Sequence, residues 1–130
     1  MALSAERVWI GIAALSGACA TLADVASRHL LAAFVQRSDY ALIGARLGYV
    51  HALALLAVAT FSLLAAPQCR WLQVSGWSFA FGQILFSGSL YLISADLAYW
   101  SGRATVPGII LLLIGWLCLF AHAISRNVTR

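Results

Sequence analysis

Four apolar stretches of roughly 20 residues each, separated by short polar breaks, constrain this chain more than any other feature. They run from about Val8 to Ala26, Ile43 to Ala66, Trp71 to Ala95 and Thr105 to Ile124. A helix needs about 20 residues to cross about 30 Å of hydrocarbon. Helices are the natural solution there, because each backbone polar group must find its partner within the segment. Composition agrees: 63% of the 130 residues are hydrophobic and 9% charged, whereas soluble domains carry about 25% charged residues. Eight arginines and four acids cannot clothe a water-soluble fold of this length. An ordinary cytosolic enzyme, a disordered tail and a disulfide-stapled secreted domain are therefore excluded. The expected fold is an all-α integral membrane protein, a single domain over residues 1–130 built as a four-transmembrane-helix bundle.

The breaks fit that reading. Pro67-Gln68-Cys69-Arg70 and Ser101-Gly102-Arg103 read as tight turns. Pro107 falls in the first turn of the fourth helix, where its missing N–H costs nothing. Trp9, Trp71, Trp77, Tyr99 and Trp100 lie near span ends, as an aromatic belt would. Between the first two spans, Leu30, Leu31, Phe34, Val35 and Leu42 alternate with Arg28, His29, Gln36, Arg37 and Asp39. That pattern predicts a short interfacial helix over Ser27 to Leu42. Arg7 before an apolar run ending Ser16-Gly17-Ala18-Cys19-Ala20 imitates a signal peptide, but Glu6 spoils its basic flank, so an uncleaved first span is expected.

The net charge of +4 is spread singly over Arg7, Arg28, Arg37, Arg46, Arg70, Arg103, Arg126 and Arg130. Arginines flanking apolar stretches serve topology and headgroup contact, so no nucleic-acid partner is expected. With four spans they divide four and four between the two sides, and charge alone sets no orientation.

Three stretches carry a family resemblance: Tyr49 with His51-Ala52-Leu53-Ala54-Leu55-Leu56, Gly76-Trp77 leading to Leu85-Phe86-Ser87-Gly88-Ser89-Leu90-Tyr91, and Gly115-Trp116. Together with Leu15-Ser16-Gly17 and His29 they resemble the small four-span membrane proteins grouped as domain of unknown function 423. The chain departs from that pattern at Asp24-Val25-Ala26-Ser27-Arg28-His29, at Leu47 and around Pro107. The resemblance implies a bacterial inner (plasma) membrane location with both termini cytoplasmic. It implies no chemistry, since the family has no established activity.

Candidate site residues follow from the cost of polar groups in hydrocarbon. Gln83, Ser87, Tyr91 and Ser94 recur at helical spacing on one face of the third span, as helix-to-helix glue or as the lining of a small polar cavity. Asp24, His29, Arg46, His51, Asp96 and Arg103 fall toward the side opposite the termini. Asp24 or Asp96 is expected to pair with Arg46 or Arg103, the alternative being a ligand or proton-handling site, with His29 and His51 at similar depth a weaker candidate pair for haem or a metal. His51 is expected to face the bundle interior, neutral, bonded to the third span or to Asp24 or Asp96. Repeats of small residues, Ala13/Gly17/Thr21 and Gly44/Gly48/Ala52, read as helix-packing faces.

No catalytic motif, phosphate loop or metal-spaced cysteine pair is legible, so no cofactor or metal is expected. Cys19 and Cys118 read as small hydrophobes within spans, and Cys69 as a reduced thiol in a turn. The expected role is a non-enzymatic accessory or assembly subunit of a membrane complex. Its partners would be the lipid bilayer and either other membrane subunits or further copies of itself. The alternative is a small transporter or permeation-associated protein using the polar stripe of the third span.

Overall fold

The computed structural model describes residues 4–64 and 69–125. Four long helices follow one another: α1 (Ala5–His29), α2 (Val35–Leu64), α3 (Arg70–Ser94) and α4 (Thr105–Ser125). A 3₁₀ segment, Tyr99–Ala104, leads into α4 where a simple turn is expected from the sequence. The Pro67-Gln68 part of the other expected turn lies outside the described residues. No strand occurs among the described residues. Among the described residues, three helical segments are long and apolar enough to cross a membrane: Ala5–His29, Val35–Leu64 and Tyr99–Ser125. α3 is less apolar because it carries Gln73, Ser75, Ser78, Gln83, Ser87, Ser89 and Ser94. It is also the most enclosed helix, and it buries all of these except Gln73.

The short helix expected over Ser27 to Leu42 does not form as a separate element. Ser27 to His29 complete α1, residues 30–34 turn, and α2 begins at Val35. Two contacts hold the polar start of α2 in place. Ser38 donates to the Ser27 carbonyl at 3.0 Å, and Arg37 Nε donates to the Ser94 carbonyl at 2.8 Å. Extending a helix already nucleated downstream costs less than starting a new one. The same amphipathic residues are therefore absorbed into the first two turns of α2. At 30 residues α2 is about 45 Å long, enough for those turns to stand clear of a hydrocarbon layer.

α1 packs mainly on α2, α2 on α3, and α3 on α4, while α1 touches α3 only lightly. Glycines decide where the helices meet. Trp9 lies fully buried with its indole over Gly76, where an added Cβ would come within 2.5 Å of the ring. Trp9 is thus a core residue rather than the belt residue its position suggests. Phe79 sits on Gly115 in the same way, and the Tyr91 ring covers Gly44. At Gly108 the neighbour is backbone: a Cβ there would stand 2.7 Å from the Phe86 amide nitrogen. Around these seats Leu55, Val58, Leu72, Phe79 and Leu112 complete the core.

Gly108 and Gly88 give a direct comparison. Gly108→Ala forces α4 away from the α3 backbone and is expected to cost about 1–3 kcal/mol. Gly88→Ala meets open space and should be neutral or slightly stabilising, given alanine's better helix propensity. Unfolding measured in detergent micelles checks both, and equal effects would contradict this packing.

Candidate functional site

The polar stripe of α3 divides between two environments. Gln83 is buried, and its Nε2 donates to the Gly48 carbonyl of α2 at 2.8 Å. That bond fixes the amide orientation, because a carbonyl can only accept. Gln83 Oε1 is therefore turned away from it, buried and without a hydrogen-bond partner. Ser87 Oγ and Tyr91 Oη are also buried without a well-formed hydrogen bond. They follow Gln83 at one-turn intervals, and Ser87 lies within interaction range of the Tyr91 hydroxyl. All three side chains line a cavity of about 220 Å³ between α3 and α1, with Ile12, Leu15, Ser16 and Cys19 opposite. Exposed Leu15 and Ile84 flank its mouth, so it opens sideways onto the apolar surface. Ser94 does not join it: its Oγ donates to the Tyr91 carbonyl of its own helix.

His51 occupies a second centre. It lies 16 residues into α2, about 24 Å along the helix, and is buried as expected. Its partners differ from expectation. Nδ1 lies 2.8 Å from the Leu47 carbonyl of its own helix, and the Trp116 indole Nε1–H donates to Nε2 at 3.3 Å. A carbonyl only accepts and an indole N–H only donates, so the ring is the neutral tautomer protonated at Nδ1. Phe79 packs beside both rings, with centroids 5.8 Å from His51 and 5.2 Å from Trp116. No bond to α3, Asp24 or Asp96 forms, because the imidazole faces aromatic rings on those helices that approach it. Both nitrogens are already engaged, and His29 sits exposed at the end of α1. The two histidines are not brought together.

The remaining charges stay at the periphery. Asp24 pairs with Arg28 one turn along α1 at 3.2 Å, and Asp96 lies 3.9 Å from Arg37. Neither uses Arg46 or Arg103, both of which are exposed. The reason is local. Arg28 is the i+4 neighbour of Asp24, and the unexpected start of α2 carries Arg37 to the end of α3. Asp96 adopts a left-handed backbone, φ 62, in a helix-ending motif with Asp96 N–H on Ile93 O and Leu97 N–H on Leu92 O. Its exposed carboxylate is part of a helix terminus, where Arg37 also covers the Ser94 carbonyl.

Sequence reasoning missed several partners. Ser75 donates to the Gly115 carbonyl at 2.8 Å, and Cys69 Sγ lies 3.1 Å from His122 Nδ1. Ser16, Cys19 and Trp116 join the two centres from helices read only as packing surfaces. No spacing or motif in the sequence marks these contacts, which join residues 40 or more positions apart. Among the described residues no group of three or more His, Cys, Asp or Glu is arranged to hold a metal.

Residues 22–108 match the family described as a protein of unknown function, DUF423. The chain belongs to this family. It is 36% identical over 69 residues to a UPF0382 membrane protein of Staphylococcus saprophyticus, covering 53% of this chain and 55% of the relative. Similar proteins of Staphylococcus epidermidis and Staphylococcus aureus match at 36% identity over 69 residues, with 54% of each covered. The match thus spans about half the length of these curated relatives. No solved structure matches the chain. DUF423 membership and relatives named as membrane proteins agree with the apolar helices: this is a membrane protein of an uncharacterised family.

The aromatic centre of this family member can be weighed by a double-mutant cycle. His51→Leu and Trp116→Phe should each lower stability by about 1–2 kcal/mol, with a coupling of about 0.6–1.7 kcal/mol. Strictly additive effects would mean that the indole–imidazole bond contributes nothing.

Proposed function

We infer that this chain is a multi-pass, non-enzymatic subunit that assembles with other membrane helices along α1. The observation carrying this reading is the outward face of α1. Gly11, Ala14, Ala18 and Thr21 lie on its exposed side, opposite the buried stripe of Trp9, Ala13, Ala20 and Ser27, and leave gaps between the larger Leu15, Leu22 and Val25. Surfaces meant for lipid alone usually present larger side chains, whereas small ones admit the close approach of a second helix. α4 offers the contrast, with Ile109, Leu113, Leu117 and Phe120 outward.

In this reading all four helices cross the bacterial inner membrane. α3 crosses too, its polar side chains turned inward and its exposed side carrying Trp77, Phe81 and Ile84. Reporter fusions at the two ends should then fall in one compartment, the cytoplasm. A three-span arrangement would separate them. A photo-crosslinking residue placed at Ala14 or Ala18 in native membranes should give a discrete protein adduct, while one at Leu113 should give only lipid. Lipid adducts alone at all three positions would end the assembly reading.

The unpartnered column on α3 favours a second reading, a permeation-associated role. Because the cavity opens sideways, several copies would have to enclose the column to make a path. Unchanged solute flux in Gln83→Leu membranes would remove this reading.

A further inference from the structure

We propose that the cavity between α1 and α3 is a binding site for a neutral, lipid-soluble dihydroxy aromatic, a ligand of the quinol class. Buried polar atoms without a well-formed hydrogen bond are costly. Gln83 Oε1, Ser87 Oγ and Tyr91 Oη face one cavity in one column, only the last two within range of each other, which calls for an occupant. The chemistry of that column narrows the occupant. Gln83 Nε2 is committed to the Gly48 carbonyl, so Oε1 can only accept, and the ligand must bring a hydrogen-bond donor. Ser87 and Tyr91 hydroxyls can donate or accept, so they suit a second hydroxyl. Successive polar positions stand one turn apart, about 6 Å along the helix. Two hydroxyls on opposite corners of a six-membered ring match that interval.

Three further features agree. No arginine or carboxylate lines the cavity, which disfavours phosphates, carboxylates and cations. Its mouth lies between exposed Leu15 and Ile84, so a ligand would enter from the lipid rather than from water. Gly88 lines the cavity between the polar positions, and a Cβ there would meet nothing within 4 Å. That free strip of backbone is a floor on which a flat ring can lie. Gly11 and Gly17 on α1 are equally open, whereas Gly44, Gly76 and Gly115 are each covered by a facing side chain.

The test is equilibrium binding of radiolabelled trimethylhydroquinone, kept reduced, to the full chain in nanodiscs. The expected result is saturable binding that falls about tenfold or more in Gly88→Val and in Ser87→Ala, with their unfolding midpoints unchanged. Gly88→Val places its Cβ where nothing lies within 4 Å, so it keeps the test decisive if Gln83→Leu fails to fold. The oxidised trimethylquinone lacks the donor that Gln83 Oε1 requires and should bind about tenfold more weakly. Equal binding of both redox forms would overturn the role given to Gln83. Saturable binding of dioleoylglycerol with none of the hydroquinone would mean a lipid alcohol occupies the site and would overturn the quinol assignment. Uptake that is linear in concentration and identical in Gly88→Val would mean that the hydroquinone only partitions into the bilayer, and the proposal would fail. These outcomes are independent of the α1 crosslinks, so the site and the assembly reading stand or fall separately.

Discussion

Close approach of helix backbones at glycine is the interaction on which the rest of this structure depends. Within lipid, apolar surface gains little by leaving one hydrocarbon environment for another, so helices cohere through packing and interhelical hydrogen bonds. Both require short distances. Trp9 over Gly76, Phe79 over Gly115 and Tyr91 over Gly44 supply the packing, each ring filling the place of a missing side chain. At Gly108 the absence is used for backbone against backbone, which sets the separation of α3 and α4.

The same glycines govern the polar contacts. Gln83 reaches across to the carbonyl of Gly48, and Ser75 to the carbonyl of Gly115. A carbonyl inside a helix already accepts one bond, but its second lone pair is reachable where no Cβ shields it. Glycine therefore provides both the depression for a ring and the acceptor for a neighbouring donor. Gly115 does both at once: Phe79 sits against it while Ser75, one turn earlier on α3, bonds its carbonyl. The aromatic centre follows from this closeness, since Phe79 seated on Gly115 brings α4 near enough for Trp116 to reach His51.

Much of this was legible in the sequence and some was not, for physical reasons. Membrane character and helical class follow from long apolar runs, because the energy of transferring them is large and local. His51 was readable as an inward residue since an imidazole among apolar neighbours has few alternatives. Its partner was not, because Trp116 looks from sequence like any aromatic near a span end. Trp9 misled in the same way: belt and core positions share one composition and differ only in whether a glycine faces them. The predicted ion pairs failed on register, since eight extra residues of α2 exchanged Arg46 for Arg37 as the cation beside α3's end. Periodicity gave the face of Gln83, Ser87 and Tyr91, but the cavity beside them depends on how lightly α1 touches α3.

That light contact has a cause in α1 itself. Its buried positions, Trp9, Ala13, Ala20 and Ser27, form one narrow stripe, and three of the four are small. Trp9 bridges to α3 at Gly76, near the start of that helix. Further along, Ala13 and Ala20 let α1 lie close to α2 but leave nothing to reach Gln83, Ser87 or Tyr91. α2 answers one of Gln83's two polar groups and covers the Tyr91 ring, and no helix answers the rest. Ser16 and Cys19 both line the gap, and neither is large enough to fill it. The chain thus holds two small, weakly polar groups there, opposite a column of unsatisfied ones. The most polar helix is thus shielded on two sides and left open on the third, and the opening coincides with its unpaired atoms.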